Sequence, residues 1–331
     1  MPYPDLINLY RKPKESNDVF MNVLILIVMT CIVVPVLLYR LFPLQIAGLL
    51  QRMLYSQCGL TSRTISVDGI DWPYLEGGNP DGETMVLVHG FGANKDNWPL
   101  YARNLIKDYY IICPDLPGFG DNTADPALSY HTQAQAERLN AFIRALGINR
   151  CHLTGNSMGG MITLRYALSF PEQLHTITLF NNAGVSGSNK SELELGVEQG
   201  KNLLSISTME DLDALMTFVV HQPRKIPMPI KKLMYSKAKQ REALHQSIFE
   251  GLTKELEAAP LEDQLANISV PTLIIWGKHD RLIDVSCTEK LRTAIPRNEC
   301  IIMEDTGHMP MIERPRESAA AQRQFLQALG G

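Results

Sequence analysis

The chain has 331 residues, of which 45% are hydrophobic and 20% are charged, and its formal net charge is −4. This composition is typical of a folded globular protein and excludes a largely disordered chain. Because there is no basic excess, we expect no nucleic-acid partner. The six cysteines are irregularly spaced and form no C-x-x-C pair, which predicts small buried side chains rather than a disulfide framework or a zinc site.

The N-terminus is predicted to be a short tail, residues 1–18, followed by a transmembrane helix, residues 19–42. Residues 19–39 carry no charge and are long enough to span a bilayer. A cleaved signal peptide is the alternative, but its apolar region should be shorter and should end in a small-x-small cleavage site. The sequence therefore favours an uncleaved, single-pass anchor.

The charges that flank this segment give its expected orientation. Arg11, Lys12 and Lys14 precede it, whereas Arg40 and Arg52 follow it. The excess of positive charge on the N-terminal side places the N-terminus in the cytoplasm. The catalytic body would then lie in the periplasm if the protein is bacterial.

Residues 43–60 are predicted to form a juxtamembrane amphipathic helix. Leu44, Ala47, Leu50 and Leu54 recur at helical spacing. This apolar face could lie in the membrane interface or pack on the globular body. A homodimer through the N-terminal helices is left open, although the span has no G-x-x-x-G pattern to support it.

The following sequence alternates between strands and helices. Two short strands are expected at 64–67 and 72–75, around the turn signal Asp68-Gly69. Continuous apolar runs then predict buried strands, and a helical stretch such as 130–146 lies between them. The alternation predicts an α/β fold with a mostly parallel sheet and helices on both faces. The apolar runs are 84–89, 109–114, 151–155, 176–180, 272–276 and 300–303.

One region interrupts this alternation and divides the core into residues 61–184 and 267–331. Residues 185–266 are helix-rich without a convincing strand, which predicts a lid over the ligand-binding ends of the strands. Within the lid, residues 223–241 contain basic side chains and no acid. They could contact anionic lipid or form a solvated helix face. The basic residues are Arg224, Lys225, Lys231, Lys232, Lys237, Lys239 and Arg241.

Residues 155–159 match the pattern G-x-S-x-G, with Ser157 at its centre. An apolar run precedes the pattern, and a helical run follows it and stops before Pro171. This strand–turn–helix context is that of a nucleophile elbow, in which glycines permit a tight turn and expose the serine hydroxyl. The alternative is a serine in an ordinary glycine turn.

A nucleophilic serine needs a base and an acid that orients the base. Asp280 follows the strand at 272–276 and His308 follows the strand at 300–303, so both are expected at the same sheet edge as Ser157. Other acidic and imidazole side chains lie nearby. Asp284 is interpreted as the N-cap of a helix that begins near Val285, Asp305 as the weaker acid, and His279 as pointing elsewhere.

The oxyanion of the reaction needs two preorganised donors. The backbone N–H of Met158, directly after the nucleophile, is the first candidate. The second is the backbone N–H of Phe91, in the loop that follows the strand at 84–89. His89, at the start of that loop, is interpreted as a structural hydrogen-bonding residue.

With these motifs in order, residues 61–331 resemble the α/β-hydrolase family, in particular its membrane-anchored monoacylglycerol-lipase-like branch and the bacterial lipase and phospholipase A relatives of that branch. The resemblance implies that Ser157, Asp280 and His308 form a catalytic triad that hydrolyses carboxylic esters of glycerolipids. It implies no metal and no organic cofactor. The matching motifs are HGFGANKDNW (89–98), PDLPGFGDN (114–122), GNSMGG (155–160), IIWGKHDRLIDVS (274–286), TGHMP (306–310) and ERPR (313–316).

We therefore expect a membrane-anchored serine esterase that releases fatty acids through an acyl-enzyme on Ser157. The expected substrates are monoacylglycerols, lysophospholipids or phospholipids. One alternative is a carbon–carbon bond hydrolase of the same fold, and another is an esterase for small esters. The non-enzymatic alternative is a hydrolase-like protein that only binds a ligand.

Overall fold

A computed structural model describes residues 14–223, 225–258 and 261–330. The chain divides into two compact units. The first contains Met1–Leu50 and Ile226–Leu233, and the second contains Gln51–Lys225 and Met234–Gly331. Helices α2 (Pro43–Gln57) and α8 (Met228–Gln240) both begin in the first unit and end in the second.

In the first unit, helix α1 spans Lys14–Leu41 and helix α2 begins at Pro43. The segment Asp18–Leu41 of α1 has 24 residues and a mean hydropathy of 2.8. Its apolar side chains are exposed. A helix of this length and hydropathy can cross a bilayer, which would cover these side chains. Pro35 lies inside α1 and does not end it.

The second unit is built on one sheet of eight strands, in the order β1-β2-β4-β3-β5-β6-β7-β8. The pairs β1–β2 and β2–β4 are antiparallel, and all the other pairs are parallel. This confirms the mostly parallel sheet. The strands are β1 (Leu60–Val67), β2 (Ile70–Gly78), β3 (Thr84–Val88), β4 (Tyr110–Pro114), β5 (Cys151–Asn156), β6 (Leu174–Phe180), β7 (Thr272–Gly277) and β8 (Asn298–Met303).

Strands β1 and β2 are about twice as long as predicted. Their pairing runs from Leu60 opposite Gly77 to Val67 opposite Ile70. Strand β1 lies at the edge of the sheet, and most of its side chains are exposed. Because the side chains of an exposed edge strand can be polar, a prediction from apolar residues finds only part of this hairpin.

Helices cover both faces of the sheet, as predicted. Along β3, Val86 and Val88 belong to one apolar cluster, whereas Met85 and Leu87 belong to the other. Helices α4, α5 and α10 contribute to the first cluster, and α3, α11 and α12 to the second. The helices are α3 (Pro99–Ala102), α4 (Thr132–Ala145), α5 (Met158–Ser169), α10 (Cys287–Ala294), α11 (Pro310–Glu313) and α12 (Pro315–Leu329).

Between β6 and β7, the described residues form helices joined by loops and contain no strand, which confirms the predicted absence of strands in the lid. Capping boxes at Ser191 and Thr208 fix the N-terminal ends of its first two helices. A 3₁₀ turn at Glu262–Asn267 then returns the chain to the sheet. The lid helices are α6 (Glu192–Glu198), α7 (Met209–Val219), α8 (Met228–Gln240) and α9 (Glu242–Ala258).

The part of α2 that belongs to the second unit ends at Gln57 and packs on the body. Tyr55 and the following Cys58 are buried in the second apolar cluster. The Tyr55 hydroxyl and the Gln51 amide both donate hydrogen bonds to the Asp96 carboxylate. For this part of the juxtamembrane helix, packing on the body is therefore the correct alternative.

Much of the basic lid stretch in the second unit is bound to protein groups. Lys237 forms an ion pair with Asp121 at 2.6 Å. Lys239 pairs with Glu242 at 2.6 Å, and the Arg241 guanidinium donates to a backbone carbonyl at 2.6 Å. Arg224 lies outside the described residues. These three cations are thus already engaged within the protein.

Candidate active site

Ser157 stands between the end of β5 and the start of α5. Its φ is 57° and its ψ is −121°, a conformation that non-glycine residues rarely adopt. Glycine is required at position 159, because a Cβ there would lie 2.4 Å from the carbonyl oxygens of Val88 and His89. The predicted strand–turn–helix context of the G-x-S-x-G pattern is confirmed.

Asp280 and His308 are brought together at the carboxyl ends of β7 and β8. The His308 Nδ1 atom lies 2.8 Å from the Asp280 Oδ2 atom, and both side chains are buried. The other carboxylate oxygen, Oδ1, accepts hydrogen bonds from the backbone N–H groups of Leu282 (2.8 Å) and Ile283 (3.1 Å). An ionised carboxylate only accepts hydrogen bonds, so it holds the proton of His308 on Nδ1 and leaves Nε2 as an acceptor.

Asn156, directly before Ser157, ties the elbow to the histidine loop. Its side-chain amide donates to the carbonyl oxygen of His308 at 3.2 Å and to that of Phe180 at 3.1 Å. The backbone N–H of His308 in turn donates to the carbonyl oxygen of Val219, at the end of lid helix α7, at 3.0 Å. These bonds place Ser157 and His308 on adjoining loops at one edge of the sheet.

Asn181 is a further residue of this site, which the sequence did not predict. Its side-chain amide donates to the Asp280 carboxylate at 2.7 Å, and its side-chain oxygen accepts from the backbone N–H of Gly277 at 3.3 Å. It is fully buried and has a φ of 44°. The available signal was an asparagine immediately after a buried strand, since asparagine tolerates this left-handed conformation.

The loop after β3 lies against the nucleophile. A Cβ at Gly90 would be 3.0 Å from the Cβ of Ser157, so only glycine allows this approach without adjustment. Among the described residues, the backbone N–H groups of Phe91 and Met158 donate to no protein acceptor. These two groups remain the candidates for the oxyanion donors, since Met158 directly follows Ser157 and Phe91 directly follows Gly90.

His89 holds this loop in place, as expected for a structural residue. Its Nε2 accepts a hydrogen bond from the backbone N–H of Leu116 at 3.0 Å. The proton of the neutral ring therefore lies on Nδ1, which donates to the Gly90 carbonyl oxygen at 2.8 Å. Complete burial lowers the pKa of His89, so the ring stays neutral.

Lid helix α9 packs on the same loop through an aromatic cluster. The ring of Phe91 lies 5.6 Å from Phe119, 5.6 Å from His245 and 5.8 Å from Phe249. Burial lowers the pKa of His245 to about 4, so it behaves as a neutral aromatic ring in this cluster. The position of Phe91 is thus coupled to the position of the lid.

A buried ion pair anchors the far end of the loop. The Lys95 Nζ atom lies 2.6 Å from Asp115 and 2.7 Å from Asp121. Asp115 also accepts from the backbone N–H groups of Lys95 (2.7 Å) and Asp121 (2.8 Å). Although burial alone would raise the pKa of Asp121, the charges of Lys95 and Lys237 lower it to about 2.

The other candidate residues take different positions. Helix α10 begins at Cys287 with Ser286 as its N-cap, two residues later than predicted, so the interpretation of Asp284 as its N-cap was wrong. The Asp284 carboxylate instead accepts from the backbone N–H of Ser286 at 2.9 Å, within the preceding turn. Asp305 and His279 are exposed, unlike the buried Asp280.

Comparisons with known proteins give the family of the chain and several similar proteins. The family model of the alpha/beta hydrolase fold matches residues 83–315. "Lipase 3" of Moraxella sp. (strain TA144) is 34% identical over 259 residues, which cover 77% of this chain and 81% of that protein. "Monoacylglycerol lipase abhd6-A" of Xenopus laevis is 31% identical and covers 82% of this chain and 83% of its own. The crystal structure of a membrane phospholipase A described as a bacterial virulence factor is 38% identical, with a TM-score of 0.85, and covers 94% of this chain and 99% of its own.

Proposed function

The chain belongs to the α/β-hydrolase family, and we propose that it is a membrane-anchored serine hydrolase that releases fatty acids from the carboxylic esters of acyl lipids. The observation that carries this proposal is the buried hydrogen bond between Asp280 and His308 on a loop adjoining the Ser157 elbow. A base oriented by an acid beside a strained, glycine-flanked serine is the arrangement that acyl transfer needs.

In the proposed mechanism, the Ser157 oxygen attacks the ester carbonyl while His308 Nε2 takes the hydroxyl proton. Asp280 holds the imidazole and stabilises its cation. The backbone N–H groups of Met158 and Phe91 donate to the oxyanion, a contribution worth about 10²–10³ in kcat for one donor. His308 returns the proton to the leaving alcohol, and water then hydrolyses the acyl-enzyme by the same route.

The proposed substrate class is supported by three similar proteins whose names describe a lipase, a monoacylglycerol lipase and a membrane phospholipase A. Monoacylglycerols, lysophospholipids and phospholipids all present a fatty-acid ester next to a polar head group. An enzyme fixed at a bilayer would meet such lipids where they are concentrated, which agrees with the exposed apolar surface of α1.

In the proposed organisation, residues 19–42 anchor the protein and residues 43–60 connect the anchor to the body. Residues 61–184 and 267–331 form the hydrolase core, and residues 185–266 form the lid. The positive charges before the span support a cytoplasmic N-terminus, and a catalytic body in the periplasm if the protein is bacterial.

The test is fatty-acid release by the full-length protein in detergent. The substrates are a short-chain ester, a monoacylglycerol, a lysophospholipid and a diacyl phospholipid. Ser157→Ala should reduce release from the lipids by about 10⁴-fold or more, while Ser188→Ala, which removes an exposed hydroxyl, should match the wild type. Release from the short ester alone would contradict the lipid substrate class, and undiminished release by Ser157→Ala would contradict the nucleophile.

A further inference from the structure

Three side chains outside the proposed triad form a cluster on its surface side. His221, His279 and Asp305 each offer a ligand atom, and these atoms all lie within 4.8 Å of one another. His221 follows lid helix α7, His279 follows β7, and Asp305 follows β8. The cluster therefore joins the lid to the two loops that carry Asp280 and His308.

Two imidazoles and a carboxylate are a donor set suited to a divalent transition metal such as Zn²⁺. The rings of His221 and His279 are stacked, with centroids 4.1 Å apart and an angle of 12° between their planes. In a tetrahedral zinc site with bonds of about 2.0 Å, ligand atoms are separated by about 3.3 Å. Separations of up to 4.8 Å exceed this value, so binding requires the two stacked rings and the carboxylate to rotate towards a common point. The exposure of His279 and Asp305 leaves room for this rotation and gives an ion access.

The backbone around the cluster is already fixed. The Glu313 carboxylate accepts from the backbone N–H of His221 at 2.7 Å and from that of Gly307 at 2.9 Å. The backbone N–H of His279 donates to the carbonyl oxygen of Thr306 at 2.9 Å. Because these bonds hold the three segments side by side, metal binding would order side chains only, which lowers its entropic cost.

One ion pair competes with a metal for Asp305. The Arg314 guanidinium lies 3.7 Å from the Asp305 carboxylate and also faces Glu317 at 3.9 Å. Asp305 is largely exposed in this pair, with 67% of its side-chain surface accessible. A long and solvated ion pair contributes little, so Arg314 can shift to Glu317 and release Asp305.

We propose that His221, His279 and Asp305 bind one Zn²⁺ ion, with water as the fourth ligand. His279 precedes Asp280, Asp305 lies three residues before His308, and His221 follows the segment whose Val219 carbonyl accepts from His308. The bound ion links the C-terminal end of α7 to the loops that carry Asp280 and His308. It stabilises the lid against the catalytic edge of the sheet without taking part in ester hydrolysis.

The experiment uses the full-length protein in detergent, with any affinity tag removed and bound metal stripped by a chelator. Zn²⁺ is titrated by calorimetry, and Co²⁺ serves as a spectroscopic probe of tetrahedral coordination. We expect one site per chain, a rise in Tm on adding Zn²⁺, and the visible absorption of tetrahedral Co²⁺. His221→Ala, His279→Ala and Asp305→Asn should each weaken Zn²⁺ binding at least tenfold.

His131→Ala is the matched control, because it removes an exposed imidazole from another part of the body and should leave Zn²⁺ affinity unchanged. The conservative Asp305→Asn change keeps the test valid if a histidine variant fails to fold. Binding with unchanged affinity in the three cluster variants, or no binding at submillimolar Zn²⁺ by the wild type, would overturn the proposal. A rise in Tm that persists in the variants would place the ion elsewhere and overturn it as well.

Discussion

Replacing Lys95 by methionine should destabilise the body by leaving a buried carboxylate without its cation. The Lys95 side chain is only 3% exposed and the Asp115 side chain is 0% exposed. Methionine preserves the length of the apolar stem but removes the ammonium group. Asp115 would keep two backbone N–H donors, which do not neutralise its charge.

The expected loss follows from this burial. Removing one partner of a buried pair costs about 3–5 kcal/mol, because solvent does not compensate the remaining charge. For a body of this size, each kcal/mol lowers Tm by roughly 2 °C, so we expect a fall of about 6–10 °C. Lys290→Met is the matched control. Its ion pair with Glu262 is exposed and should contribute only about 0–1 kcal/mol.

Intrinsic fluorescence is the assay, because Trp72, Trp98 and Trp276 are all buried and report loss of the core. All variants are heated in the same detergent at one scan rate, since Tm depends on scan rate when unfolding is irreversible. Adding Asp115→Asn to Lys95→Met should recover part of the loss, because it removes the uncompensated charge. Equal Tm values for Lys95→Met and Lys290→Met would refute this reasoning.

Three further predictions concern the site, the lid and the N-terminal boundary. Asn181→Gly should lower kcat roughly 10- to 100-fold with little change in KM, because glycine tolerates the positive φ and the variant loses only a hydrogen bond to a charged group, worth about 1.5–3 kcal/mol. An unchanged kcat would contradict a role for Asn181 in positioning Asp280. The pKa of His245 is lowered to about 4 in the folded state, whereas its ordinary pKa is about 6.5. As the pH falls from 6.5 towards 4, the unfolded chain therefore takes up a proton that the folded chain does not, and the free energy of unfolding decreases. Urea unfolding at pH 7.5 and pH 5 should show this loss, up to about 2 kcal/mol, and His245→Gln should reduce it. A chain beginning at Gln51 should have a higher Tm than one beginning at Thr61, because the shorter chain lacks the buried Tyr55. Equal Tm values would show that residues 51–60 add no stability.

The features that the sequence predicted are those whose cause is local. Strands such as β7 are buried on both faces, so their residues form continuous apolar runs. The nucleophile elbow needs glycines at fixed spacing around Ser157, and the pattern therefore shows both the turn and the residue. Asp280 and His308 follow predicted strands, and parallel topology brings the ends of such strands to one edge.

The features that escaped prediction depend on contacts between distant segments. Asn181 reaches Asp280 across 99 positions of sequence, and nothing near Asn181 indicates that partner. The amphipathic pattern of α2 shows an apolar face but not what covers it, and the contact of Tyr55 with Asp96 decides the question only in three dimensions. The cluster of His221, His279 and Asp305 is invisible in sequence for the same reason.

The most direct test of the proposed nucleophile is covalent labelling of the full-length protein in detergent with a fluorophosphonate, followed by peptide mass spectrometry. We expect one adduct, on Ser157, whose rate of formation falls sharply in His308→Ala because the serine loses its base. Ser188, as an exposed serine, should remain unlabelled. An adduct on another residue, or lipid hydrolysis that persists after Ser157 is fully modified, would contradict the assignment of Ser157 as the nucleophile.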